Sequence, residues 1–156
     1  MSIEFANNLV KGKIAETIFA QMLRDTNEFT VLEFGYEKII PELVQNGQKN
    51  DSLMIETLRT APDFAVINRK TKEVRLVEVK YRSFVDYNEV LQCAKRMHQS
   101  WNPSYLFIAS LNGFYFDDIS RIIKNKGKIS SLVHPQINQD LQANYLQILI
   151  DFEKGK

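Results

Sequence analysis

The sequence has few of the residues that brace a small protein with disulfides or metal clusters. It contains one cysteine, Cys93, in 156 residues, and a single thiol can form neither an internal disulfide nor a cysteine-based metal cluster. The six glycines are scattered along the chain, and none lies in a GxxxxGK or GxGxxG phosphate loop. The composition therefore argues against an oxidised secreted domain, a zinc finger and a nucleotide-dependent transferase.

Long apolar runs are also lacking. No window approaches the roughly 18 consecutive apolar residues of a membrane span. The first residues, MSIEFANN, do not combine a basic segment with an apolar stretch as an export signal does. We therefore expect a cytoplasmic protein without a membrane anchor. Because 44% of the residues are hydrophobic, one domain over residues 1–156 can bury a sizeable core.

Excess charge of one sign is lacking as well, since 20 basic and 19 acidic residues give a net charge of +1. This balance argues against a polycationic protein that coats nucleic acid. The charge is nevertheless uneven, because residues 61–100 carry 8 basic and 5 acidic side chains. A later basic run without acids is either a phosphate-facing edge or a solvated helix end and loop. Its residues are Arg121, Lys124, Lys126 and Lys128.

Hydrophobic periodicity predicts several helices. Apolar residues at three- and four-residue spacing indicate an amphipathic helix from Asn7 to Thr26, capped by Asn7 or Asn8. Helices are also expected at Val85–Trp101 and Ile119–Lys124. A short helical or irregular segment is expected at Ile39–Val44, followed by a polar loop at 45–52.

β-Branched and aromatic runs predict strands. They cover Phe29–Tyr36, Pro62–Asn68, Glu73–Tyr81, Ser104–Ser110, Phe114–Phe116 and Tyr145–Phe152. A polar turn at 69–72 separates the second strand from the third, so we expect a β-hairpin there. The resulting order is α-β-β-β-α-β followed by a C-terminal extension. It predicts a mixed α/β domain built around one sheet.

Three charged residues of the predicted hairpin deserve a chemical interpretation. Glu78 and Lys80 lie two apart on one strand, so their side chains share a face. Both are embedded in an apolar run, where a charge is costly unless it is paired or bound to a metal. Asp63 begins the partner strand at the same end of the hairpin. We therefore expect the three charged groups to converge at one edge of the sheet.

Two carboxylates in such a place form an oxygen-rich site that suits Mg²⁺ or Mn²⁺. A neighbouring lysine can hold a water and balance the charge that develops on a phosphate. Phosphodiester hydrolysis is the chemistry that such a site suits best. Taken singly, however, Glu-x-Lys is commonly a cross-strand ion pair, so a structural network of Asp63, Glu78 and Lys80 is an alternative.

The order and spacing of these residues resemble a known family. Pro62-Asp63, a spacer over 64–77 and Glu78-Val79-Lys80 are similar to the signature of PD-(D/E)xK nucleases. Gly12 and Glu16 resemble the Gly-x-x-x-Glu placement of archaeal-type Holliday junction resolvases. The resemblance covers about residues 7–110. It implies a restriction endonuclease-like α-β-β-β-α-β core, with a central mixed sheet flanked by helices, and leaves 111–156 as the C-terminal extension.

The resemblance implies a Mg²⁺- or Mn²⁺-dependent deoxyribonuclease, an endonuclease rather than an exonuclease, without a small-molecule cofactor. Asp63 and Glu78 would bind the metal, and the Val79 carbonyl would add a ligand. Lys80 would orient or activate the attacking water, and Glu16 would support the metal or the water. The alternative for Glu16 is a solvated helix acid.

The resemblance also implies contacts with DNA. On the helix after the motif, Gln92, Lys95 and Arg96 share one face, where several nuclease subfamilies place residues near the scissile phosphate. Arg82 would touch the nucleic-acid backbone. Solvated surface is the alternative for these side chains. Related nucleases often cut both strands as symmetric homodimers. A non-catalytic member of the fold, serving as a nucleic-acid-binding or assembly module, is the alternative to the enzyme.

Overall fold

The computed structural model describes residues 2–35 and 57–155. The helices are α1 (Ile3–Asp25), α2 (Tyr87–Ser100), α3 (Ile119–Lys124) and α4 (Gln139–Glu153). The strands are β1 (Phe29–Glu33), β2 (Phe64–Asn68), β3 (Val74–Tyr81), β4 (Tyr105–Ser110) and β5 (Gly113–Asp118). The segments expected at Ile39–Val44 and 45–52 lie outside the described residues. None of the helices within the described part of the chain has the length and apolar character needed to cross a membrane.

The five strands form one mixed sheet in the order β1-β2-β3-β4-β5. The neighbours β3 and β4 run parallel, and the other three pairs are antiparallel. A parallel pair needs a crossover connection, and α2 provides it between β3 and β4. Helices cover both faces of this sheet, so the expected α/β architecture with a helix-flanked mixed sheet is confirmed.

Two hydrophobic cores lie on opposite faces of the sheet. Phe107 of β4 packs in the core that also contains buried residues of α1 and α4. Leu106 and Ile108, its neighbours on β4, pack against α2 and α3 instead. Because successive side chains of a strand point to opposite faces, β4 contributes to both cores. This placement explains the continuous apolar run over Ser104–Ser110.

Helix α1 begins four residues earlier than its apolar pattern indicates. The Ser2 hydroxyl accepts a hydrogen bond from the Phe5 N–H at 3.0 Å and caps the helix, so the prediction of Asn7 or Asn8 as the cap is wrong. The first helical turns are exposed, and their side chains therefore add little to the hydrophobic pattern. Val10 is 47% exposed, whereas Met22 is fully buried.

The strand predicted at Tyr145–Phe152 is wrong, because these residues belong to α4. The Asn138 side chain accepts a hydrogen bond from the Leu141 N–H at 2.8 Å and caps this helix. Leu141, Tyr145 and Leu149 recur at four-residue spacing and join the core beneath the sheet. That period is helical, and the isoleucines of the segment obscured it. The helix Ile119–Lys124 was predicted with the correct bounds.

The predicted hairpin of β2 and β3 is confirmed. Its last paired residues are Ile67 and Val74, and the Asn68 side chain accepts hydrogen bonds from the backbone N–H groups of Lys70 and Thr71. The first predicted strand ends at Glu33 rather than Tyr36. Strand β2 begins at Phe64 rather than Pro62. Both differences matter for the site described next, because beyond Val77 the only described strand paired with β3 is β4.

Candidate active site

The candidate site lies where β3 continues beyond its neighbour β2. The register of the hairpin pairs Phe64 with Val77, yet β3 extends to Tyr81. Buried backbone donors need a partner, and here a side chain supplies it. Asp63 Oδ2 accepts a hydrogen bond from the Val79 N–H at 2.8 Å. The contact fixes the Asp63 carboxylate against the middle of the Glu78-Val79-Lys80 segment.

Glu78 and Lys80 project from β3 toward helix α2. Their partners in the parallel register are Leu106 and Ile108, which belong to the core on that face. Lys80 Nζ lies 3.2 Å from Glu78 Oε2. The other oxygen, Glu78 Oε1, is buried and accepts no hydrogen bond from the described residues. The Asp63 carboxyl lies within hydrogen-bonding reach of Glu78, so the structure brings the three charged groups together.

Burial and crowding govern the protonation of this cluster. Burial, followed by the negative charge of Asp63, raises the pKa of Glu78 to about 8 despite the opposing charge of Lys80. Burial alone would lower the pKa of Lys80, but the Glu78 carboxylate outweighs it and the pKa lies above its ordinary value. At neutral pH, without a bound cation, the Glu78 carboxyl therefore carries a proton and Lys80 is an ammonium group.

Helix α1 brings Glu16 to the same place from the other face of the sheet. A cavity of about 550 Å³ is lined by Glu16, Asp63, Glu78 and Lys80, among others. The two faces can meet here because β2 begins only at Phe64. Glu16 also lies 3.8 Å from Lys13 Nζ one turn earlier on α1. The sequence placed all four lining residues at one site, and they do share one cavity.

Within residues 2–35 and 57–155, no group of three or more His, Cys, Asp or Glu side chains is arranged to hold a metal ion. A Mg²⁺ site, however, commonly uses one or two carboxylates and retains several waters. Asp63 and Glu78 offer two such groups, and Glu78 Oε1 is a buried oxygen without a donor among the described residues. Two carboxylates in contact are favourable only when a proton or a cation compensates them. Asp63 and Glu78 are therefore the carboxylates here that could serve as ligands of one hard divalent cation.

The chain matches no protein-family model and no curated protein. Its family is therefore a proposal, which depends on the placement of these side chains.

Arg82 makes its contacts inside the protein. Its guanidinium donates two hydrogen bonds to the Glu89 carboxylate, at 2.7 and 2.9 Å, and one to the Tyr81 carbonyl at 2.7 Å. Its backbone N–H donates to the Ala109 carbonyl at 3.0 Å. Glu89 raises the pKa of Arg82 above its ordinary value, chiefly through these hydrogen bonds. Arg82 thus ties the end of β3 to both β4 and the first turn of α2.

Gln92, Lys95 and Arg96 are exposed on α2. They are not among the described residues that line the cavity at Asp63. Cys93, between them in sequence, is buried in the core on that face. The sequence pattern separated the polar face of this helix from its apolar face correctly, and the structure leaves the three polar residues on the outer surface.

Sequence reasoning missed two further charged residues of the site, Glu33 and Arg59. Both line a cavity of about 370 Å³ together with Glu16, Asp63 and Glu78. Glu33 ends β1 and pairs with Phe64, the residue after Asp63. An antiparallel pairing of the first two strands would have predicted this neighbour. The segment of Arg59 is held by a hydrogen bond from Trp101 Nε1 to the Thr57 carbonyl at 2.9 Å, a contact without a sequence signal.

Proposed function

We propose that the chain is a metal-dependent endonuclease of the PD-(D/E)xK type that hydrolyses phosphodiester bonds in DNA. The proposal includes a restriction endonuclease-like core similar to that of the Holliday junction resolvase-like group. The order α1-β1-β2-β3-α2-β4 supports it. The placement of Asp63 immediately before β2, and of Glu78 and Lys80 on the part of β3 that extends beyond β2, also supports it.

One observation carries the proposal. The Asp63 carboxyl reaches Glu78, whose Oε1 is buried without a donor among the described residues, while Oε2 is paired with Lys80 at 3.2 Å. A stabilising ion pair would use both carboxylate oxygens, because an unmet buried oxygen costs free energy. A site that alternates between a proton and a divalent cation explains the unmet oxygen.

Hydrolysis adds water across one P–O bond. The water oxygen bonds to phosphorus, the bond to a sugar oxygen breaks, and the departing sugar oxygen gains a proton. Asp63 and Glu78 would hold the cation, with the Val79 carbonyl as a further ligand. A divalent cation bound there supplies Lewis-acid stabilisation of phosphate charge and makes water more acidic.

Lys80 contributes a positive charge rather than a base, because its pKa is raised and it is protonated at neutral pH. From its position beside Glu78 it donates hydrogen bonds to the attacking water and to a phosphate oxygen. Glu16, which lines the same cavity, would accept a proton from that water or hold it in place. Together these residues orient water against the phosphate.

The test is cleavage of supercoiled, linear, single-stranded and branched DNA with Mg²⁺. Asp63→Asn keeps an acceptor for the Val79 N–H, and Lys80→Met keeps the apolar stem. We expect each variant to lose about 100-fold or more in cleavage rate. Glu73→Gln is the matched control, since Glu73 is an exposed acid of the same hairpin that pairs with Arg75. Equal cleavage by wild type and both site variants would assign the activity to a contaminant.

A non-catalytic module with the same fold is the second candidate. The observation that favours it is the lack of a three-ligand cluster among the described residues. Mn²⁺ binding separates the two functions. Absence of cleavage on every substrate, together with absence of Mn²⁺ binding, would favour the binding or assembly module over the enzyme.

A further inference from the structure

Two aromatic side chains are exposed where the chain passes from the candidate site into α2, Phe84 in the connection and Tyr87 at the first position of the helix. Phe84 is 67% exposed and Tyr87 is 50% exposed. Ser83, immediately before Phe84, lines the cavity that contains Lys80. Phe84 therefore directly follows a residue that lines the cavity, and Tyr87 lies three residues further along the chain. Exposed aromatic rings of this kind offer flat surfaces on which bases can stack.

The backbone that carries the two rings is fixed by hydrogen bonds. At its start, Arg82 donates hydrogen bonds to the Ala109 carbonyl and to the Glu89 carboxylate. Asp86 caps α2 by accepting a hydrogen bond from the Asn88 N–H at 2.9 Å. A preorganised backbone loses less conformational entropy when a ligand binds. Phe84 thus lies in a short connection that is anchored at both ends, and Tyr87 lies in the first turn of α2.

A basic turn packs against the same place. A Cβ atom at Gly127 would lie 1.9 Å from the Tyr87 carbonyl oxygen, so the two backbones are in direct contact. The Gly127 N–H donates to the Ile122 carbonyl at 2.9 Å and closes the turn. The turn that carries Lys126 and Lys128, its neighbours in sequence, therefore lies against the backbone of Tyr87. Both are exposed, as is Lys124.

We infer that these five residues form a binding surface for a single-stranded polynucleotide, which we call the stacking surface: Phe84, Tyr87, Lys124, Lys126 and Lys128. Bases would stack on the two rings, and the lysines would neutralise phosphates of the same strand. The bases of an intact duplex already stack on one another and cannot use the rings. The inference rests on the proposed nuclease function and adds a substrate class to it, namely DNA with an unpaired strand next to the cleaved bond.

The acidic residues near the stacking surface are already engaged. Glu89 is paired with Arg82, and Asp86 accepts the capping hydrogen bond of α2. The segment from Arg121 to Lys128 contains no acid. Asp86 keeps its negative charge, but the three lysines outnumber it, so the surface has a local positive charge that suits a polyanion bound at moderate salt.

The test is fluorescence anisotropy with a labelled oligothymidylate of about 15 nucleotides, measured in EDTA so that nothing is cleaved. We expect the wild type to bind the single strand more tightly than a duplex of the same length. Phe84→Ala/Tyr87→Ala should weaken single-strand binding about tenfold or more. Lys126→Glu/Lys128→Glu should weaken it and flatten its salt dependence by roughly 0.7 logarithmic units per lost phosphate contact.

Lys70→Glu/Lys72→Glu is the matched control. It makes the same charge change in exposed residues of the hairpin turn, and Lys72, like Lys126, has a positive φ. We expect single-strand affinity of the control within about twofold of wild type. An equal loss in the control, or wild-type affinity in the aromatic double variant, would overturn the inference. Oligouridylate of the same length shows whether the bound strand is restricted to DNA.

Asp63→Asn separates this inference from the proposed function. It should keep single-strand binding in EDTA, because the stacking surface does not include the carboxylates. Binding without cleavage of any substrate by the wild type would contradict the nuclease and support the stacking surface. Cleavage by the wild type with no effect of the aromatic variant on binding would contradict the stacking surface alone.

Discussion

The Glu78 carboxyl is buried next to a second carboxyl, and both features disfavour its charged form. Its pKa is raised to about 8, first by burial and then by the charge of Asp63. Lys80, 3.2 Å away, opposes this shift without cancelling it. In the unfolded chain the same carboxyl would titrate near 4.5. The folded protein therefore binds more protons than the unfolded chain between about pH 4.5 and about pH 8.

This difference predicts how stability depends on pH. The free energy of unfolding should fall as the pH rises from about 4.5 to about 8, because folding keeps a proton on Glu78 that the unfolded chain releases. Glu78→Gln cannot ionise, so we expect a smaller change. We would measure thermal unfolding midpoints at about pH 5 and about pH 9 without metal. The difference between the two midpoints should be several degrees smaller in Glu78→Gln than in the wild type.

Glu73→Gln serves as the control for this measurement, since Glu73 is exposed at the other end of β3. It should show the same pH dependence as the wild type. If Glu78→Gln also followed the wild type over this pH range, the raised pKa of Glu78 would be wrong.

The sequence predicted the meeting of Asp63, Glu78 and Lys80 because strand periodicity and a short hairpin turn determine it. Glu33 and Arg82 show what such reasoning lacks. Glu33 reaches the site because β1 pairs with β2. No short turn joins these two strands, so the sequence does not indicate that they pair. Arg82 forms an ion pair with Glu89. The sequence shows that Arg82 is basic, but it does not show which acid across the loop pairs with it.

At the scale of elements, the contact between the turn at 125–128 and the first turn of α2 holds the helices of one face in place. Gly127 has φ of +96° and its backbone lies against Tyr87. Leu91, one turn further along α2, would lie 3.1 Å from a Cβ at Gly127. Only glycine satisfies both the backbone angle and the space.

Gly127→Ala should therefore destabilise the protein strongly. Gly113→Ala is the matched control, because Gly113 also has a positive φ (+143°) but nothing lies within 4 Å of its added Cβ. Both variants carry backbone strain, and only Gly127→Ala adds a clash with backbone atoms. We expect its unfolding midpoint to fall roughly 5 °C further than that of Gly113→Ala. Equal midpoints by differential scanning calorimetry would contradict this close contact.

Elements with a strong local pattern were predictable, and those shaped by distant contacts were not. The hairpin and α3 have clear turn signals, and both were predicted. Helix α4 was taken for a strand, because its isoleucines favour β structure locally while its packing on α1 requires a helix. The length of α1 was underestimated, since its exposed first turns have no core to create a periodic pattern.

At the scale of the whole molecule, the site depends on the unequal lengths of neighbouring strands. Where β1 and β2 stop, β3 continues between the two faces of the sheet. Glu16 approaches from the face of α1, and Lys80 from the face of α2. The charges therefore gather in a cleft between the two cores rather than within either of them.

Metal binding should stabilise the molecule as a whole, because a cation that binds only the folded state raises the unfolding midpoint. In the proposed site Mn²⁺ would compete with a proton for the Glu78 carboxyl, so its effect should increase with pH. We expect a larger rise in midpoint at about pH 8 than at about pH 6. Asp63→Asn should abolish the rise, whereas Glu73→Gln should keep it. An equal rise in Asp63→Asn would place the cation elsewhere.

We propose that Asp63 and Glu78, with Lys80, form a metal-dependent hydrolytic site. The most direct measurement is the initial rate of Mg²⁺-dependent DNA cleavage by wild type, Asp63→Asn and Glu73→Gln, purified in parallel. We predict cleavage by the wild type and by Glu73→Gln at similar rates, and a loss of about 100-fold or more in Asp63→Asn. Cleavage by Asp63→Asn at the wild-type rate, with Glu73→Gln equally active, would contradict the claim.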